Sequence, residues 1–149
     1  VPVIKAFIYM SNEPIKNPES LTAETRDQLK NLSKAMLRFH KILLDAAKLD
    51  YEAQNGSIQS VNQYFQLVID DPHFAWLRKI SSLIALIDEA ASVRRPATES
   101  EARALLNEAR ILLTFEDPDE EFNNKLQTEL QKNRDAVIGH NDALNSLKK

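Results

Sequence analysis

Histidines and carboxylates are the first residues to weigh for chemistry in this chain, because its 149 residues include no cysteine. Disulfides, thiolate metal sites and thiol nucleophiles are thereby excluded. A di-iron or haem site built on helices needs carboxylate and imidazole ligands at helical spacing, so that they converge from facing elements. None of His40, His73 or His140 is preceded at three by Glu or followed at four by Glu or Asp. Only Asp70 with His73 comes near, across the break that Pro72 imposes. Asp70-Asp71 reads as a loop with its cap and Asp88-Glu89 as a solvated helix face, so no metal and no cofactor is expected. No serine sits in a Gly-x-Ser-x-Gly turn, and with glycine only at positions 56 and 139 there is no phosphate-cradling loop. The segment left with chemistry to offer is Arg134-Asp135-Ala136-Val137-Ile138-Gly139-His140-Asn141. A guanidinium can clamp a phosphate, and an imidazole can exchange protons near neutrality.

Whatever these residues do, helices must position them. Asp71 can accept from the first free amides of a helix as its N-cap, and Pro72 suits the first helical position. Leu77, Ile80, Ile84, Ile87 and Ala91 then recur at three and four, while Phe74, Trp76, Leu83, Leu86 and Ala90 widen the stripe until the helix is apolar on nearly every side. Other helices are expected to pack around it. Asn17-Pro18, Asp71-Pro72 and Asp117-Pro118 each set a capping side chain before a proline, Thr98 with Glu101 has capping-box spacing, and Asp117 with Glu120 has a looser form of it. Ser57, after Asn55-Gly56, marks the remaining start. The expected helices are 18–54, 58–69, 72–94, 98–115 and 118–147.

Their periodicity is helical throughout: Leu29, Leu32, Met36, Phe39, Leu43 and Ala46 in the first; Ala102, Leu105, Leu106, Ala109, Leu112 and Leu113 in the fourth; Phe122, Leu126, Leu130, Val137 and Leu144 in the last. Four long amphipathic faces joined by short connections predict an all-α, up-and-down antiparallel bundle, with the short 58–69 helix across one end. The first helix, on the order of 50 Å long at 1.5 Å per residue, would overhang the rest. That overhang is either a dimer surface or a bend or break in the helix. His40 and His140 border apolar stripes, which makes boundary or hydrogen-bonded core histidines of both, and Gly139 would let a neighbouring backbone or bulky side chain come close.

One domain is expected over 18–149, with 43% hydrophobic residues to supply a core and 1–17 as a tail. VPVIKAFIY, residues 1–9, is strand-like and precedes Met10-Ser11-Asn12-Glu13, which reads as an initiator region. The natural protein therefore begins at Met10, or residues 1–9 form a tail or short strand on the bundle. With 19 basic against 22 acidic residues the net charge is −3. No basic run supports electrostatic DNA binding, and no apolar run approaches the length of a membrane span.

The Arg134 to His140 segment resembles the Arg-polar-x4-His signature of the HEPN ribonuclease superfamily, which is also built on helix bundles. That resemblance implies an RNA-cleaving cleft between two protomers, with Arg134 on phosphate and His140 as acid-base group. Over most of the chain after Pro18, DPHFAWLRKISSLIALIDEA followed by FNNKLQTELQKNRDAVIGH resembles a family of small uncharacterised bacterial helical proteins, and no activity comes with it. Asp71, Pro72, Phe74, Trp76, Leu77 and Arg78 form the densest cluster of distinctive residue types. They read as a capped helix whose aromatics wedge into the bundle, or else Trp76 and Arg78, types enriched in binding hot spots, dock a partner with Tyr64 and Phe65 beside them. The expected function is non-enzymatic: a bundle mediating protein association in a bacterial cytoplasm, with another protein or a second copy as partner. The alternative is a metal-independent, HEPN-like ribonuclease using Arg134 and His140.

Overall fold

Within residues 19–148, which the computed structural model describes, the chain is all-α. Its helices are α1 (Ala23–Asn55), α2 (Val61–Asp70), α3 (Arg78–Ala90), α4 (Glu99–Leu113), α5 (Glu120–Lys132) and α6 (Arg134–Ser146), with a 3-10 turn over Pro72–Leu77 leading into α3. An isolated antiparallel bridge between Ser20 and Thr98 is the only β pairing among the described residues. The expectations for the 1–17 tail, the start at Met10 and the Asn17-Pro18 cap lie outside them.

The first helix starts at Ala23 rather than at residue 18, and Thr22 caps it: its side chain accepts from the Thr25 amide. The helix then runs unbroken for 33 residues, on the order of 50 Å. Leu29, Leu32, Met36, Phe39 and Leu43 are buried as their spacing requires, but the stripe ends on Ala47 rather than Ala46. Its far end is unbroken and covered on one side, with Leu49 exposed on the other. The His73 ring donates from Nε2 to the Ala47 carbonyl at 2.8 Å, and the Lys48 ammonium lies 5.0 Å above the Tyr64 ring. Gly56 stops the helix, with φ of 83° that a side chain would strain and its amide donated to Glu52 O. Ser60 rather than Ser57 then caps α2, because its hydroxyl is the one that reaches an amide, that of Gln63.

Asp71 and Pro72 start the third segment as expected, but the first turn is 3-10 and the α-helix proper begins at Arg78 and ends at Ala90, short of residue 94. Three residues per turn put Phe74 and Leu77 on the same side, and both face the core. Ile80, Leu83, Ile84, Ile87, Ala90 and Ala91 follow them inward. The helix is not enclosed on every side, however: Leu86 is 54% exposed. Thr98 and Glu101 form the expected capping box on α4. Asp117 does not cap α5, since its carboxylate is taken by Lys79 at 2.7 Å and by the Asp119 amide, and Asp119 caps in its place.

The expected 118–147 helix is two helices. Asn133 sits at φ −127°, ψ 103°, and its side chain accepts from the Ala136 amide as the N-cap of α6 while donating to Glu129. Beyond the break, Ala136, Gly139, His140 and Ala143 face inward, and Val137 and Ile138 are exposed. Close approach explains the choice of small residues. A Cβ on Gly139 would lie 3.2 Å from Phe39 Cδ1 and 3.3 Å from Phe39 Cα, so α6 meets the backbone of α1 where a larger side chain would force them apart.

Gln28 donates to Ser146 O at one end of α1, and Lys132 pairs with Asp50 near the other, so α6 runs opposite to α1. Ser33 donates to Asp88, and Tyr51 packs on Phe74, so α3 also runs opposite to α1. The start of α4 is tied to the start of α1 by Glu99, whose carboxylate accepts from the Thr25 hydroxyl at 2.6 Å and the Thr22 amide at 3.0 Å. The Thr25 hydroxyl bond first, then the Thr22 amide, hold the Glu99 carboxyl below the usual range, and the Thr98 amide and hydroxyl do the same for Glu101. Burial pushes the Asp117 carboxyl up, but the hydrogen bonds from Lys79 and the Asp119 amide, with the Lys79 charge, outweigh it and leave the pKa lowered. A carboxyl whose pKa is lower folded than unfolded contributes stability above its unfolded value, about 4, and loses it as pH falls through the folded value. Burial lowers the His40 pKa as well, so the urea midpoint should begin to fall as pH drops through about 6.5 and should fall again below about 4, and that second drop should be shallower in Glu99→Gln. An equal drop in both proteins would show that Glu99 is not among the groups responsible.

Candidate interaction surfaces

His140 and Arg134 are not brought together. Six residues apart on α6, they are offset by about 9 Å along the axis and about 120° around it. His140 is buried, and because a carbonyl only accepts, its Nε2 carries the proton donated to Leu113 O at 2.7 Å. Its ring stacks on Phe115 at 5.6 Å and tilts against Phe39 at 5.7 Å. Leu113 ends α4, so the imidazole satisfies one of the helix's orphan carbonyls. Phe115, just beyond, has φ 63°, the left-handed conformation that ends helices, and the Glu116 amide reaches back to Ile111 O. A non-glycine residue there costs roughly 1–2 kcal/mol, which stacking on His140 helps to offset. Arg134, the first residue of α6, is exposed. His40 sits at the edge of the α1 stripe, half-buried, and burial lowers its pKa. Among the described residues no group of three His, Asp or Glu is placed to hold a metal ion.

The aromatic cluster divides in two. Phe74, fully buried, collects Tyr51, Tyr64 and His73 around it with ring centroids 5.0–6.2 Å away, and so fastens α2 and the 3-10 turn to the end of α1. Burial, then the charges of Asp45 and Glu52, raise the Tyr64 phenol pKa. Trp76 leaves this group and packs half-buried against Phe122 of α5, at 6.1 Å. There it lines a groove of about 500 Å³ with His73 and the mixed charges of Asp50, Glu121, Lys125, Glu129 and Lys132. Arg78 turns the other way: its guanidinium donates to Val68 O at 3.2 Å and Asp71 O at 3.1 Å, closing the end of α2. Of the four proposed binding residues, Tyr64 and Arg78 are engaged within the fold and Trp76 is half-covered. Phe65 alone projects freely, 62% exposed.

No family model matches the chain, and neither does any curated protein or solved structure. The surfaces must therefore be judged on their own chemistry. Among the described residues no helix is long and apolar enough to cross a membrane. On α2, Val61 is 82% exposed and Ile69 45%, one turn either side of Phe65. The helix has no fully buried residue, and its inward side consists of Tyr64, Leu67 and Val68. It is thus apolar on two faces and uses one. Val61 and Ile69 were missed because Tyr64 and Phe65 were read as an adjacent pair. The i, i+4, i+8 spacing of Val61, Phe65 and Ile69 against a second stripe at 64, 67 and 68 was the available signal.

Proposed function

We propose that this chain is a non-enzymatic helical-bundle protein acting by protein association in a bacterial cytoplasm, with the outer face of α2 as its contact. The observation that carries the reading is the solvent-facing row Val61, Phe65, Ile69, on a helix whose only charged residue is its last, Asp70. Burial of such a row returns roughly 25 cal/mol per Å² of apolar surface, and a partner protein or a second copy can supply the cover. We also read the architecture as an up-and-down bundle of α1, α3, α4 and α6. Contacts close a ring through α1–α3, α3–α4, α4–α6 and α6–α1, and neighbours in that ring run in opposite directions. The inserted α2 and α5 stand outside this ring, which leaves α2 free for contact.

Phe65→Glu is the direct probe. An exposed side chain changes stability by no more than about half a kcal/mol, so the variant should melt with the wild type. Light scattering on the purified protein and co-purification from the native host should both be run: the wild type is expected to self-associate or retain a partner, and the variant to do neither. Identical mass and identical co-purifying proteins for the two would contradict the reading.

A further inference from the structure

On another side of the molecule, α3 and α4 leave an apolar groove of about 420 Å³ between them. Leu86 and Leu105 line it together with Ala90, Ala97 and Ala104, whose small side chains leave room for a bulky side chain to enter. Its rim is acidic. Among the lining residues Glu89, Glu101 and Glu108 outnumber the one cation, Arg95, which reaches Glu89 only at 3.9 Å. Arg94 adjoins Glu89 outside the groove, and Glu101 accepts from the Thr98 amide, which leaves Glu108 without a cation among the lining residues. The α4 residues that face the groove lie at 101, 104, 105 and 108, a run of about two turns and roughly 10 Å. Two neighbouring helices that line a groove with leucines and alanines make a seat for the apolar stripe of a third helix. The excess of carboxylates selects the charge of whatever flanks that stripe.

We propose that this groove receives an amphipathic helix of a partner protein whose apolar stripe is bordered by lysine or arginine. Leucine-sized side chains at i, i+3 or i+4 and i+7 enter between Leu86 and Leu105, and basic residues beside them meet Glu89 and Glu108. An acidic helix is repelled by the same rim. The groove is separate from the α2 face, so each can fail without the other.

The probe is a fluorescein-labelled 14-residue helical peptide of leucine, alanine and lysine, with leucines on one stripe and lysines flanking it. A matched peptide carries glutamate in place of lysine. Anisotropy titration of the full chain at about 0.15 M salt should show micromolar binding of the lysine peptide and at least tenfold weaker binding of the glutamate peptide. Leu86→Glu should weaken the lysine peptide at least tenfold, the Glu89→Lys, Glu108→Lys double variant should reverse the preference, and Phe65→Glu should change nothing. All substituted positions are exposed, so circular dichroism should match the wild type; should Leu86→Glu fail to fold, the charge-reversal pair decides alone. Equal binding of the two peptides, or a preference that survives charge reversal, would overturn the proposal. So would binding that appears only after removal of residues 1–9, which would make the chain's own first residues the occupant.

Discussion

Phe74→Ala should be the most damaging single truncation in the molecule, costing about 3–5 kcal/mol of a total stability of roughly 5–15. The ring is wholly buried and is the common neighbour of Tyr51, Tyr64 and His73. Its removal opens a cavity where three segments meet: the end of α1, the inner face of α2 and the 3-10 turn. Relaxation can fill that space only partly, because His73 is held by Ala47 O and Arg78 by Val68 O and Asp71 O. Urea denaturation followed by helical circular dichroism measures the loss, and amide exchange should show α2 opening first. A cost below about 1 kcal/mol would mean that α2 and the 3-10 turn are not fastened to α1 through this ring.

His140→Ala should also destabilise, and for a different reason. The Leu113 carbonyl at the end of α4 loses its donor, which alone is worth about 1–3 kcal/mol for a buried group. A cavity between Phe39 and Phe115 adds to that, and the left-handed Phe115 loses its stacking partner. Arg134→Ala, at an exposed position, should change stability by no more than about half a kcal/mol. The same two variants separate a structural histidine from a catalytic one. Single-stranded RNA incubated with metal-free wild type should remain intact. Cleavage by the wild type that disappears in both variants, each still folded, would replace association with the ribonuclease reading.

Much of the helical frame was legible because caps and periodicity are local. Asp71 before Pro72, and Thr98 with Glu101, act on amides two or three residues away, so their types announce them. Asn133 was missed because the inward positions 122, 126, 129, 136, 140 and 143 step by three and four within each helix and by seven, two full turns, across the break, so the helical phase carries no trace of it. The Asn-cap with Asp135 in the first turn behind it was the only local sign. Val137 stands in the expected stripe by its spacing from Leu130, yet the closeness of α6 to α1 at Phe39 decides which residue fits, and that distance belongs to two helices far apart in sequence. Leu86 and Phe65 show the converse: periodicity marks a side chain as apolar without saying whether a helix of the same chain covers it. His140 was readable as a boundary residue, but its acceptor, a helix-terminal carbonyl, appears only once α4 and α6 are packed.

Cross-linking in the native host tests association through α2 most directly. Lys48, above the Tyr64 ring beside α2, supplies an amine for the reagent. Cross-links from Lys48 to a partner protein or to a second copy are expected in the wild type, and their loss in Phe65→Glu with the fold retained. A partner captured equally by both proteins, through lysines remote from α2, would contradict it.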